Sequence, residues 1–195
     1  MNLSGFLDNF GFITLIVIAW LSLYFIITFW IFIYRYFSLS SALENEKESL
    51  ETLLMGKKTL SRRSLLAKNL KKSDNKLTKT LLKYSLDKAI KDATIGLTFL
   101  AIVASTAPFI GLFGTVVEIL EAFSKLGENS KVTLDVIAPV ISKALVATAA
   151  GILTAIPAYS FNLFLKRKVF EITTYLQLQI DMLLSSVEND EANVL

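Results

Sequence analysis

Glu118 and Lys143 are the residues whose chemistry is hardest to place, because each stands at or inside a stretch that is otherwise apolar. Ala93 to Val117 holds no charged side chain and runs directly into Glu118, while Val136 to Leu165 carries only Lys143. Ionisable groups in such segments are costly and usually face a bundle interior or a wet path. If the two segments are antiparallel helices with Thr115 and Thr148 at similar depth, a rise of about 1.5 Å per residue puts Glu118 about 4.5 Å and Lys143 about 7.5 Å further outward. The two charges are then nearly level, and an intramembrane ion pair is expected, within one subunit or across neighbours. The alternative is that Lys143 snorkels to the headgroups while Glu118 faces water unpaired.

Both segments also carry small or weakly polar residues at helical spacing. On one, Ala104, Pro108, Gly111, Thr115, Glu118 and Ala122 share a face; on the other, Ala144, Thr148, Gly151, Ala155, Ala158 and Asn162 do. Small residues let membrane helices approach closely, and a threonine can satisfy its hydroxyl on its own backbone, so helix packing accounts for the glycines and alanines, Gly111, Gly114 and Gly151 among them. Pro108 and Pro157 should bend their helices, whereas Pro139 is expected in the first turn of the later one, where its missing N–H matters little.

The elements that position these residues follow from hydropathy. Asn9 to Tyr34 is a third uncharged stretch, and each of the three exceeds the roughly 20 apolar residues that cross a bilayer. The chain is 53% hydrophobic with 14 Phe, and its mean hydropathy is +0.55, more than a soluble domain of 195 residues could bury. The first span is too long for a signal-peptide core and lacks a basic leader, so it should persist as an anchor. Zero Cys and zero His exclude disulfides, thiolate chemistry, imidazole relays and the usual nitrogen and sulfur metal sites. No cofactor, no metal and no enzymatic activity are expected.

Charge distribution gives orientation. Of 20 Lys and Arg, 14 fall between Arg35 and Lys91, and Lys166, Arg167 and Lys168 follow the last span. By the positive-inside rule both regions are cytoplasmic and the N-terminus is outside. The expected order is residues 1–35 as a short periplasmic N-terminus and first span, 36–92 as a cytoplasmic helical segment and 93–120 as the second span. Residues 121–135 then form a periplasmic loop, 136–165 the third span and 166–195 a cytoplasmic helical tail. Tyr84 is almost the only aromatic in the basic segment, which argues against nucleic acid and for a solvated face near membrane lipids.

Within the cytoplasmic segment, Leu39, Leu43, Leu50, Leu53 and Leu54 recur at helical spacing before Gly56, and Leu77, Leu81, Leu86 and Ile90 lead towards the second span. No proline interrupts Lys76 to Ala107, which predicts one unbroken helix from cytoplasm into membrane. Val169, Ile172, Leu176, Ile180, Leu183 and Val187 predict that the third helix also continues into the cytoplasm. The acidic end from Glu188 reads as frayed. The fold class is an all-α integral membrane protein with three transmembrane helices, the second and third long.

APFIGLFGTV at Ala107 to Val116 and ISKALVATAAGILTAIPA at Ile141 to Ala158 resemble the ExbB/TolQ/MotA proton-channel family, and ExbB most closely. Three spans and their order fit that resemblance, whereas MotA-like stators typically have four. The resemblance implies a bacterial inner-membrane motor: a homo-pentamer whose second and third helices surround an ExbD-like single-span dimer. That dimer supplies a membrane aspartate, and proton flow is coupled to movement passed on by a TonB-like or TolA-like protein. By motif position Thr115 and Thr148 match the family's proton-path threonines. One departure is Lys143, where relatives often carry glutamate; another is Glu118, where they usually carry glycine. The acid has moved to the facing helix, and Glu118 is the candidate replacement.

The leading expectation is therefore a channel and scaffold subunit energising TonB-dependent outer-membrane transport. A TolQ-like role in envelope integrity and division is the alternative within the family. A self-contained pore or substrate-binding transporter is disfavoured by the lack of broken-helix repeats and clustered ligand groups.

Overall fold

The computed structural model describes residues 11–55, 64–70, 79–127 and 134–192, and among them every regular element is helical. We label these α1 (Phe12–Leu54), α2 (Leu65–Leu70), α3 (Lys79–Thr94), α4 (Leu97–Gly127) and α5 (Leu134–Ala192). Three of them, α1, α4 and α5, are long and apolar enough to cross a membrane. Gly56, Leu77 and residues 128–133 of the expected loop lie outside the described residues, as does the side chain of Val187.

The chain divides into two compact units. The first combines residues up to Ile31 with Thr98–Asn162. Its core is Val17 and Leu21 of α1, Val103 and Ala107 of α4, and Ala147, Ala155 and Ala158 of α5, with Tyr24, Phe99 and Ile110 packed against it. Alanines dominate the α4 and α5 contributions: Ala155 and Ala158 belong to the small-residue face expected on α5, whereas Ala107 and Ala147 lie outside the expected faces. Large side chains point the other way: Phe109, Leu112, Phe113 and Leu120 on α4 and Leu145, Leu153 and Ile156 on α5 are exposed, as in a helix whose other faces meet apolar surroundings.

The second unit combines Phe32–Leu97 with the residues from Leu163 onward. Here α5 buries Val169, Ile172, Leu176, Ile180 and Leu183, the stripe that predicts its continuation. On α3 the buried residues are Leu82, Ser85, Ala89 and Ala93, whereas Leu81, Leu86 and Ile90 are only half-buried. The period is the one the sequence shows, but the inward face is rotated by about one residue. Small side chains there let α3 approach its neighbours more closely than leucines would.

Two expectations about helix continuity change. The unbroken helix across Lys76–Ala107 is interrupted at Ile95–Gly96, where Gly96 takes φ 85°, a left-handed conformation that ends α3 without a Cβ penalty. The Arg35 guanidinium, buried on α1, donates to the carbonyl of Asp92 at 3.0 Å and also to that of Ala93. These carbonyls are among those a helix end leaves unsatisfied, so an arginine from another helix completes the cap. Pro139, expected in a first turn, sits in the second turn of α5 because that helix begins at Leu134. Its ring nitrogen has no proton to offer the Asp135 carbonyl one turn back.

Candidate functional site

In the first unit α4 and α5 meet at backbone contact. A Cβ at Gly111 would lie 2.6 Å from the Ala147 carbonyl oxygen, and one at Gly151 would lie 2.6 Å from that of Ala107. No side chain fits at either position without moving backbone. Gly114 is less constrained: its Cβ would meet Ala147 Cβ and Val17 Cγ1, both at 3.1 Å. Pro108, half-buried within α4, and Pro157, half-buried within α5, lie on the same two helices.

This approach brings Thr115 and Thr148 together. Their hydroxyl oxygens are 2.5 Å apart, and Thr115 Oγ1 is also 2.9 Å from the Ala144 carbonyl of the opposite helix. Each hydroxyl has one proton. If Thr115 donates across the seam to Ala144, Thr148 donates to Thr115, and the oxygen of Thr148 keeps both lone pairs free to accept. The Gly111 carbonyl, 3.3 Å from Thr115 Oγ1 and 3.4 Å from Thr148 Oγ1, offers each a weaker alternative. Thr115 is 7% exposed whereas Thr148 is half-buried, so Thr148 is the open end of the pair.

One turn beyond Thr115, Glu118 is buried at 8% exposure and meets α1. The Thr14 hydroxyl donates to one carboxylate oxygen and the Gly11 N–H reaches the other at 3.4 Å. This partnership is not legible in the sequence, where Thr14 lies in a span that looks like a plain anchor. A signal is nevertheless present: Thr14, Val17, Leu21, Thr28, Arg35, Leu39, Glu46 and Leu50 follow one another at helical intervals along one buried face of α1. Lys143, half-buried on α5, precedes the Ala144 whose carbonyl meets Thr115. The pairing of Glu118 with Lys143 stands as a proposal.

A second polar cluster, also unanticipated, lies in the other unit. Glu46 is fully buried and accepts from Leu65 N at 2.6 Å, Ser64 Oγ at 2.9 Å and Gln179 Nε2 at 3.0 Å. Gln179 is fully buried as well. Its position, three residues after Leu176 and four before Leu183, continues the α5 stripe with a polar side chain. These three hydrogen bonds compensate the burial of a carboxylate and an amide. No group of three or more His, Cys, Asp or Glu among the described residues could hold a metal ion.

Residues 55–178 match the MotA/TolQ/ExbB proton channel family. The chain is 47% identical over 180 residues to the biopolymer transport protein ExbB-like 1 of Helicobacter pylori strain 26695, a match covering 92% of this chain and 95% of the relative. The biopolymer transport protein ExbB of Neisseria gonorrhoeae is 42% identical over 86 residues, 44% of this chain and 39% of that protein. The Tol-Pal system protein TolQ of Haemophilus influenzae is 43% identical over 81 residues, 42% of this chain and 36% of that protein.

Proposed function

Because the chain belongs to the MotA/TolQ/ExbB proton channel family, we propose that it is the ExbB-like subunit of a proton-driven motor in a bacterial inner membrane. In this reading it assembles as a homo-pentamer around an ExbD-like single-span dimer, and with a TonB-like protein energises transport across the outer membrane. Its N-terminus is periplasmic and its C-terminus cytoplasmic. It forms and breaks no covalent substrate bond.

The observation that carries the reading is the Thr115–Thr148 pair. A carboxyl group on a partner helix, once protonated, can donate to a free lone pair of half-buried Thr148, and the two threonines relay that bond to the Ala144 carbonyl. The threonine hydroxyls themselves carry no fixed charge that would trap the proton. Backbone contact at Gly111 and Gly151 keeps α4 and α5 from separating as a partner moves past them.

The test is purification together with an ExbD-like single-span protein supplied as candidate partner, followed by a subunit count in native mass spectrometry. Five copies with two of the partner are expected; a chain that isolates alone and binds no single-span protein would contradict the motor. The matches to TolQ favour a second reading, a subunit serving envelope integrity and division. A TonB-like or a TolA-like neighbouring reading frame separates the two.

A further inference from the structure

Glu118 is a buried acid whose nearest identified donors come from the helix that the proposed mechanism leaves idle. Its two carboxylate oxygens are engaged by Thr14 Oγ1 and by Gly11 N–H, and Thr14 is 1% exposed. Gly11 accepts the first helical bond of α1, from Leu15 N at 3.1 Å, so it occupies the cap of that helix. The carboxylate therefore lies against the positive end of α1 as well as against two donors. Gly11 lies close to the side-chain ends of two acids of α4. A Cβ there would approach Glu121 Oε2 to 2.8 Å and Glu118 Oε2 to 3.3 Å.

We propose that Thr14 is a positioning residue for Glu118, and that α1 thereby takes part in proton transfer by holding an acid at the outer end of the Thr115–Thr148 seam. The proposal rests on the channel reading above for its purpose, but the contact it names stands independently. Glu118 follows Thr115 by three residues, about 4.5 Å along α4. A carboxylate there can take a proton from outside water and present it to the seam. When Glu118 is ionised the Thr14 hydroxyl donates to it; when Glu118 is protonated the same hydroxyl can rotate and accept. One side chain thus keeps the acid in place through both states, which an alkyl group cannot do.

Among the described residues Glu121 on α4 is a second titratable group at this site, its Oε2 lying 2.8 Å from where a Gly11 Cβ would stand, and Lys143 on α5 is the proposed partner of Glu118.

The decisive measurement is infrared titration of the protein in lipid, following the carboxyl band that disappears in Glu118→Gln. Thr14→Val removes the hydroxyl that donates to Glu118 and is expected to move the midpoint away from its native value, whereas Thr14→Ser keeps the hydroxyl and should leave it near native. Proton flux into proteoliposomes holding the complex with its single-span partner is measured on the same variants. Thr14→Val should change its pH profile while complex yield stays within about twofold of native. An unmoved infrared midpoint in Thr14→Val would overturn the positioning role, whatever the flux shows. A moved midpoint beside flux that Glu118→Gln leaves unaltered would overturn the participation of Glu118 in transfer. Where neither Thr148→Val nor Glu118→Gln alters flux but the midpoint still moves, the positioning stands and the channel reading fails.

Discussion

Thr115 on α4 and Thr148 on α5 touch through their hydroxyls, 2.5 Å apart, at a seam where Gly111 and Gly151 bring the two helix backbones into contact. The glycines and the threonines are one device: without the close approach the hydroxyls could not meet, and without the hydroxyls the seam would be packing alone.

Filling the seam should therefore break the device from its structural side. Gly151→Ala places a methyl 2.6 Å from the Ala107 carbonyl, and overpacking against backbone typically costs about 1–3 kcal/mol. Gly114→Ala meets only side chains at 3.1 Å and should be milder. Thermal unfolding in detergent is expected to rank Gly151→Ala as the less stable; equal melting temperatures would show that the helices slide apart freely.

The break between α3 and α4 gives a second prediction. Forcing a Cβ into a left-handed conformation costs about 1–2 kcal/mol, so Gly96→Ala should lower stability by that amount. Arg35→Met removes the donors that reach the Asp92 and Ala93 carbonyls and should destabilise the same helix end. Chemical denaturation of both variants checks this, and a native midpoint for either would mean the cap contributes nothing.

This break also shows what the sequence could and could not convey. The three spans, the small-residue faces and the α5 stripe are legible because apolar side chains repeat at the helical period. Gly96 was not legible as a stop: a glycine inside an apolar run reads equally well as a packing residue, and only the neighbouring Arg35 reveals that a helix end needs satisfying there. Glu46, Gln179 and Thr14 were missed for a related reason. Polar residues on a helix read as solvated until their partners, distant in sequence, are brought beside them.

Glu46 supplies a third prediction. Glu46→Leu strands the Ser64 hydroxyl proton and the Leu65 N–H, while the Gln179 amide keeps the Glu46 backbone carbonyl at 3.0 Å, and each buried group left unsatisfied costs about 1–3 kcal/mol. Glu46→Gln keeps the shape and part of the acceptor capacity and should be less harmful. Expression yield and resistance to limited proteolysis are expected to fall in the order native, Gln, Leu.

The proposed pairing of Glu118 with Lys143 predicts non-additivity. Removing one member of a desolvated pair leaves the other charge uncompensated, so Glu118→Gln combined with Lys143→Met should be milder than at least one of the single changes. A double-mutant cycle on complex stability measures the coupling. Simple additivity would leave Thr14 and Gly11 as the groups that hold Glu118 and remove the ion pair from the account.

Orientation is checked with single cysteines in a chain that has none. Cysteines replacing Asn9 and Asn129 should label from outside in intact spheroplasts, and those replacing Ser73 and Asn193 should not. External labelling at Ser73 would reverse the topology and with it the direction of the proposed proton path.

The central claim is that the Thr148 hydroxyl conducts as well as packs. Threonine to valine is close to isosteric but deletes the donor and acceptor, whereas threonine to serine keeps both and loses a methyl. Energy-dependent uptake through an outer-membrane receptor is measured together with the yield of the assembled complex for the two variants. The account predicts that Thr148→Val assembles normally but loses most uptake, about tenfold or more, while Thr148→Ser retains the larger share. A Thr148→Val protein that assembles and drives uptake at the native rate would contradict it.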